Sequence, residues 1–227
     1  MPAPLVQGQD RVRESRSVDA FAEIEYAIPG TLHLRQGDDQ SVEVNAPEKV
    51  LDKIETTVEG ETLKISDGDE SGFFDRFFGD DGVDTDQIDV YVTASTINDV
   101  TLAGSGRVVG ETHVTSESLS LTVAGSGDLG LDLDTRNLSV RVAGSGTCTL
   151  RGQAGTLDLN IAGSGDLRAA DLETERAEVR IAGSGNAELD VTDHLSAEIF
   201  GSGDVQYRGR PTVETSTFGS GEVRPMN

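Results

Sequence analysis

The sequence predicts an all-β protein folded as a parallel β-helix, or β-solenoid, with coils of about 20 residues. The first observation is the phrase Gly-Ser-Gly, which recurs in the second half of the chain at steps of 18 to 21 residues. Its first glycines are Gly104, Gly125, Gly144, Gly163, Gly183, Gly201 and Gly219. A fixed period of this length is typical of an array of stacked structural units.

The second observation is the alternation of apolar and polar residues on both sides of the phrase. Side chains that recur with a period of two lie on one face of a β-strand. Each coil is therefore predicted to contain a strand, a tight corner, a second strand and a polar turn. Glycine suits the corner because it adopts backbone angles that side chains forbid, and the serines are expected to form a ladder. The apolar face of one copy consists of Leu119, Leu121, Val123, Leu129, Leu131 and Leu133.

The first hundred residues are less regular but also predict short strands. Alternating segments such as TLHLRQ and IDVYVTA are separated by turn signals, and APEKVLDKI is the best candidate for a single short helix. We predict a flexible leader at residues 1–14 and one solenoid domain at residues 15–227. Within that domain, residues 15–100 form an irregular N-terminal β cap with the first coils, and residues 101–227 form the regular repeats.

The charge of the chain excludes several partners. Its 41 acidic and 18 basic residues give a net charge of −23, which repels phosphate backbones and anionic lipid. We therefore expect neither nucleic acid nor a bare membrane surface as partner. An acid-rich, lysine-poor composition resembles that of proteins from salt-loving microbes.

The targeting signals in the sequence are compatible with more than one cellular compartment. No apolar run approaches the roughly 20 residues that a transmembrane segment requires, and the start MPAPLVQGQDRVRES has no long apolar core of a signal peptide. The protein either stays inside the cell, or its export signal precedes this start, or the chain has been trimmed. The single cysteine, Cys148, excludes an internal disulfide.

The repeated coils resemble a known family. The phrase VAGSGDL and the opening FAEIEYAIPGTLHLRQ look like the auto-transporter adhesin head domain, also called the head GIN domain. The resemblance covers roughly residues 18–225. It implies a β-helical fold and an extracellular or cell-envelope setting, and it implies no catalytic residues. The chain departs from the family's pattern at its start, where an export or lipoprotein signal is missing.

Glycine-rich repeats with aspartate resemble calcium-binding coils, which makes a calcium site one candidate. Calcium requires six to eight oxygen ligands, but the position after the phrase is interrupted by Thr147 between Asp128 and Asp166. We therefore interpret these acids as exposed turn residues and expect no metal and no cofactor.

Some polysaccharide lyases and hydrolases also have the parallel β-helix fold, which makes an enzyme a second candidate. Glycoside hydrolysis needs two carboxylates about 5 to 10 Å apart, and among so many acids proximity is uninformative. The histidines, His33, His113 and His194, are scattered without metal-ligand spacing. The serines lack the G-x-S-x-G context of a nucleophile. We expect no catalytic residues.

Two further features have both a structural and a functional interpretation. Cys148 occupies the position of Leu129 and Leu167 in neighbouring coils and is expected to be a core residue rather than a reactive thiol. The segment SGFFDRFFGDDGVDTD is expected to cap the solenoid end or, alternatively, to bind a partner. Its candidate partner-binding residues are Phe73, Phe74, Phe77 and Phe78.

Three functions remain open from the sequence. The favoured hypothesis is a non-enzymatic surface or envelope β-solenoid, adhesin-like, that presents a rigid acidic face to an unknown surface protein or glycan. The alternatives are a β-helical carbohydrate-active enzyme and a structural or regulatory envelope module. In the last case, homo-oligomers would form through the solenoid ends, because exposed strand edges pair with other edges.

Overall fold

The computed structural model describes residues 11–68 and 87–226, which contain seventeen strands and one short helix. The predicted β-solenoid is confirmed. Its regular part is formed by ten strands: β8 (Asp99–Gly104), β9 (Arg107–Gly110), β10 (Val114–Gly125), β11 (Asp128–Gly144), β12 (Thr147–Gly163), β13 (Asp166–Gly183), β14 (Ala187–Gly201), β15 (Val205–Gly209), β16 (Thr212–Gly219) and β17 (Val223–Pro225). Strands of successive coils pair in parallel, so that the corner glycines align.

Each long strand runs from one corner to the next and bends once on the way. In β11, the segment after the corner forms one side of the coil, and the segment after Asn137 returns along the other side. The side chains that point between the two sides are buried in every regular coil from β10 to β14. The predicted apolar face is buried in full, with its members at most 3% exposed. Such a coil buries apolar surface only by stacking on its neighbours.

The first half of the chain builds the other end of the same stack. Its elements are β1 (Arg11–Arg16), β2 (Glu23–Tyr26), β3 (Thr31–Gln36), β4 (Ser41–Pro47), α1 (Glu48–Leu51), β5 (Ile54–Glu59), β6 (Thr62–Asp67) and β7 (Asp89–Ala94). β2 lies between β6 and β8, and β3 lies between β7 and β9, all in parallel. The coil formed by β2 and β3 is therefore inserted between two coils that follow it in sequence.

The corner of this inserted coil lacks the repeated phrase. The residues AIPG join β2 to β3, and Gly30 has a φ of 103°. The carbonyl of Gly30 accepts a hydrogen bond of 2.8 Å from the N–H of Arg107 in the next coil. Proline and glycine thus replace the phrase at this corner, with the positive φ at the place of the second glycine, Gly106, rather than the first, Gly104.

The N-terminal end of the stack is closed by antiparallel strands and the helix. β4 pairs with β7 and β1 pairs with β4, both antiparallel, while β5 pairs with β6. The predicted short helix is confirmed as α1, whose Val50 and Leu51 are buried in the core. This is the irregular cap that the sequence predicts. Within the described residues, no helix is long and apolar enough to cross a membrane.

Two predictions about the chain's organisation stay predictions. Residues 11–14, assigned to the leader, form part of β1 and pair with β4, while residues 1–10 lie outside the described residues. Residues 69–86, which separate β6 from β7 in the sequence, also lie outside them. The candidate residues Phe73, Phe74, Phe77 and Phe78 belong to that segment.

Candidate binding surfaces

The Gly-Ser-Gly corners are explained by packing alone. The first glycine has a positive φ, 123° at Gly163. The second glycine is buried, and a Cβ at Gly165 would lie 2.6 Å from the carbonyl oxygen of Gly146 in the preceding coil. The serine between them is exposed, and its N–H donates to the preceding coil, as from Ser164 to Gly144 at 2.8 Å. The phrase therefore holds coils together, and its serines form a surface ladder.

Three side chains that follow corners, those of Asp166, Asn186 and Asp204, bind backbone groups of the next coil. Oδ1 of Asp166 accepts a 3.0 Å hydrogen bond from the N–H of Asn186. Oδ1 of Asn186 accepts one of 3.1 Å from Asp204, and Oδ1 of Asp204 one of 3.0 Å from Glu222. These oxygens therefore have a structural role. Across residues 11–68 and 87–226, no group of three or more His, Cys, Asp or Glu side chains could hold a metal ion.

A long shallow depression lies on the return side of the coils, just after the bend. Two adjoining depressions share Thr156 and Asp158 and so form one groove across the coils from β10 to β14. We call this the bend groove. Its first file contains one residue per coil in register: Ser118, Asn137, Thr156, Arg176 and His194. The second file, two residues further along each strand, contains Ser120, Ser139, Asp158, Glu178 and Ser196.

The first file is a hydrogen-bonded ladder at one end of the groove. Nδ2 of Asn137 donates to Oγ of Ser118 at 3.3 Å, and Oγ1 of Thr156 donates to Oδ1 of Asn137 at 3.2 Å. At the other end, Arg176 lies 3.5 Å from Asp193. The groove thus changes from neutral hydroxyl and amide groups to charged groups along its length.

Acidic residues line the bend next to the groove. A neighbouring depression shares Ser116 and Glu117 with the groove and is also lined by Asp134, Glu173 and Glu175. Negative charge is therefore concentrated along one rim, although Arg136 lies within it, 3.5 Å from Glu117.

The bend groove was missed by the sequence analysis, although the sequence contains its signal. Every member of the first file stands seven residues before the first glycine of a phrase, as Asn137 does before Gly144. Alignment on the phrase would have brought Thr156 and His194 together in one file. The apolar positions and the position after the phrase do not include this file, which is why His194 looks like one of three scattered histidines in the sequence.

A charged cluster lies on the outer surface near the N-terminal end. Nε2 of His33 in β3 lies 3.0 Å from Oδ1 of Asp89, and Nδ1 lies 2.8 Å from Oε1 of Glu111. Arg11 of β1 bonds to Asp89, and Arg35 bonds to Glu111. The cluster therefore links β1, β3, β7 and the residue that follows β9.

The two carboxyl groups of this cluster are perturbed in the same direction. Burial alone would raise the pKa of Asp89, but hydrogen bonds from Arg11 and His33 hold this pKa below its ordinary value. Burial would likewise raise the pKa of Glu111, but the hydrogen bonds and charges of Arg35 and His33 outweigh burial and hold this pKa below its ordinary value. A general acid for glycoside hydrolysis needs a raised pKa, so these two carboxyls are unsuited to that role.

The lowered pKa of Asp89 predicts a loss of stability in acid. Because the pKa is lower in the folded state than in the unfolded state, the stabilisation is present above the unfolded value and is lost as pH falls through the folded value. The group is partly exposed, which limits the effect to about 1 kcal/mol or less. We expect Asp89→Asn to weaken the fall in urea stability below pH 4. The control Asp132→Asn, in the exposed pair with Arg151, should leave the pH dependence unchanged, and an equal change in both variants would contradict this expectation.

Cys148 is a core residue, fully buried in the coil of β12. Burial raises the pKa of its thiol to about 12, and the thiol rather than the thiolate is therefore present at neutral pH.

This environment predicts that Cys148 reacts with a thiol reagent only after unfolding. Labelling with a chromogenic disulfide in increasing urea should follow the unfolding transition seen by circular dichroism. The control is Ser145→Cys in a Cys148→Ala background, because Ser145 is exposed in the same coil, and it should label at once without urea. Rapid labelling of native Cys148 would show that the core of this coil opens locally.

Two exposed aromatic rings lie near the C-terminal end of the stack. Phe200 and Phe218 are 48% and 62% exposed and stack with centroids 5.1 Å apart. They replace the alanine that precedes the corner glycine in the earlier coils, such as Ala182. At this position the file of small residues thus ends in two large, exposed apolar side chains.

Comparison with known proteins agrees with this architecture. A family profile described as "Putative auto-transporter adhesin, head GIN domain" matches residues 20–211. The chain belongs to this family. The resemblance seen in the sequence is therefore confirmed, and the family description points to adhesion at a cell surface. No curated protein matches the sequence.

Solved structures share the fold of this head GIN domain. A "putative adhesin" from Bacteroides fragilis superposes with a TM-score of 0.85 at 22% identity, covering 96% of this chain and 98% of its own. A "putative lipid binding protein" from Parabacteroides distasonis gives 0.75 at 24% identity, covering 96% and 97%. A "putative adhesin" from the same organism gives 0.75 at 22% identity with the same coverage. At these identities the likeness concerns the fold.

Proposed function

We propose that this head GIN domain is a non-enzymatic, adhesin-like binding module of the cell surface or envelope. The observation that supports it is the register of the outward side chains. From β10 to β14, parallel pairing repeats the same outward positions from coil to coil in straight files. A rigid array of this kind presents polar side chains at a regular spacing to an extended partner, at little entropic cost on binding.

The electrostatics of the described residues support binding over catalysis. The two perturbed carboxyls, Asp89 and Glu111, are both shifted toward the ionised form. A hydrolase or lyase on this scaffold would need a carboxyl kept protonated or a base near neutral pH. The acidic surface, with a net charge of −23, would act in partner selection by repelling anionic surfaces.

The test of this function combines location and binding. The protein should be expressed from its genomic locus with the upstream sequence, and the cells should be fractionated. The purified chain should then be presented to intact cells, to immobilised glycans and surface proteins, and to phosphatidylcholine vesicles. The proposal expects an envelope or extracellular location and retention on cells or on an immobilised partner. A cytoplasmic location, or turnover of polysaccharide by the purified chain, would overturn it. Retention on vesicles alone would indicate that the partner is a lipid and not a protein or glycan.

Self-association through the solenoid ends stays a prediction. The N-terminal end is covered by β1, β5 and α1, so the end formed by β16 and β17 is the candidate. Phe218 lies at this end with most of its ring exposed. The molecular mass in solution, measured by light scattering over a range of concentrations, tests the prediction.

The four phenylalanines of residues 69–86 remain a proposed partner contact. Their segment lies between β6 and β7 in the sequence. Replacing Phe73, Phe74, Phe77 and Phe78 together by serine tests this role in the same retention assay. A lowered melting temperature would favour the alternative that they cover the solenoid end.

A further inference from the structure

We propose that the bend groove binds an extended, uncharged glycan chain, with about one sugar residue per coil. This inference rests on the proposed function, since it assigns the binding site and the chemical class of the partner. The groove crosses the coils from β10 to β14, and two files of polar side chains lie side by side in it.

The repeat of the groove matches an extended sugar chain. Neighbouring strands of a sheet are about 4.8 Å apart, so the equivalent groups of Asn137 and Thr156 recur at this spacing along the stack. One sugar of an extended polysaccharide advances by a similar length, so successive sugars would meet equivalent groups. A peptide in the groove would cross the strands at right angles and could not pair with a strand edge, which excludes β-strand addition.

The chemistry of the groove suits sugar hydroxyls. A hydroxyl or a carboxamide both donates and accepts hydrogen bonds, and such groups form the neutral part of the groove. The ladder occupies the donors, because Nδ2 of Asn137 donates to Oγ of Ser118 and to the carbonyl of Glu117, and the hydroxyl of Thr156 donates to Oδ1 of Asn137. The remaining lone pairs on Oδ1 of Asn137 and on Oγ1 of Thr156 are free to accept from sugar hydroxyls. Further along the groove, Arg176 offers donors, and Asp158 and Glu178 offer the carboxylate lone pairs that their contacts with Asn160 and Arg180 leave free. A chain of sugars presents donors and acceptors along its whole length and can use all of these groups.

The surrounding charge selects an uncharged chain. Glu117 and Glu175 line the adjoining rim, and Asp193 lies 3.5 Å from Arg176 at the charged end. Chains that carry sulfate or uronate groups would meet like charges along the groove, which costs affinity. A neutral chain meets no such penalty.

The first experiment measures binding by titration calorimetry with defined oligosaccharides. The probes are neutral linear oligomers of glucose, xylose, mannose and N-acetylglucosamine, two to eight sugars long, and an oligogalacturonate as the charged comparison. We expect at least one neutral series to bind, with affinity rising up to about five sugars, the number of coils from Ser118 to His194. Failure of all four neutral series, or equally tight binding of the oligogalacturonate, would overturn the inference.

A matched pair of variants locates the site. Thr156→Ala removes a hydroxyl from the groove, and Thr149→Ala removes one from the opposite side of the same coil, where both side chains are partly exposed. We expect Thr156→Ala and Asn137→Ala to lower the affinity for the neutral oligomer between about twofold and tenfold, which is the net value of one hydrogen bond. Thr149→Ala should bind as the wild type does. Melting temperatures of the variants separate lost contacts from lost folding.

The outcomes distinguish the two proposals. If the protein is retained on cells but Thr156→Ala and Thr149→Ala behave alike, the groove is not the site and the proposed function stands. If the wild-type protein is retained neither on cells nor on any immobilised partner, the proposed function is wrong, whatever the variants show. Retention on cells that the neutral oligomer abolishes in the wild type supports both.

Discussion

Gly163→Ala is expected to destabilise the protein by about 2 to 6 kcal/mol, the sum of two separate penalties. Gly163 has a φ of 123°, a conformation that costs a residue with a Cβ about 1 to 3 kcal/mol. The added Cβ would also lie 2.5 Å from the carbonyl oxygen of Gly144, and overpacking costs about 1 to 3 kcal/mol more. The contact cannot be relieved by a rotamer change because the opposing atom belongs to the backbone of the preceding coil.

Two controls separate these penalties. Gly104 has the same place in its phrase and a φ of 95°, but a Cβ there would meet nothing within 4 Å. Gly104→Ala should therefore carry the conformational penalty alone. Ser164→Ala changes an exposed side chain between the two glycines and should stay within about 0.5 kcal/mol of the wild type. The free energy of unfolding in urea, followed by circular dichroism, measures all three. Equal losses for Gly163→Ala and Gly104→Ala would show that close stacking of coils does not explain the repeated phrase.

The stack could be predicted from the sequence because packing restricts it at every coil. Both glycines of a phrase touch the preceding coil, as Gly163 and Gly165 do, and the apolar residues must face the core. These requirements recur at a fixed spacing and are therefore visible in one sequence. The period and the buried residues of the regular coils were both predicted from it.

The order of the first coils could not be predicted. The coil of β2 and β3 lies between the coil of β6 and β7 and that of β8 and β9. Short alternating strands pair equally well in several orders, and the corner at Gly30 lacks the repeated phrase. Pairing in this region depends on the packing of α1 and of the antiparallel cap strands, which no periodic signal records.

The candidate site is harder to predict than the core for a related reason. The outward file that contains Asn137, Thr156 and His194 has a different residue type in every coil, so no repeated residue marks it in the sequence. Their register becomes visible only when each is counted from its own corner glycine. The concave shape at the bend, which makes a groove of two files, follows from the backbone path and has no counterpart in the residue pattern.

Leu159→Ala is expected to destabilise the protein by about 2 to 5 kcal/mol through a cavity in the middle of the stack. Leu159 is fully buried in β12, and its partners in register are Val140 in the preceding coil and Val179 in the next. Truncation therefore removes contacts at two interfaces at once. The backbone around the site is held by parallel pairing on both sides, which limits the collapse that would fill the cavity.

The control variant Leu159→Met keeps the side-chain volume and should cost less than about 1.5 kcal/mol. In a stacked array, stability is approximately a sum of coil and interface contributions, so weakening two interfaces should also broaden the urea transition. A broad transition for Leu159→Ala, with a sharp one for Leu159→Met, would show that the central coils couple the two ends. A close-packed core is destabilised more by the loss of side-chain volume in Leu159→Ala than by the change of shape in Leu159→Met. Equal urea midpoints for the two variants would therefore contradict a close-packed core that continues through β12.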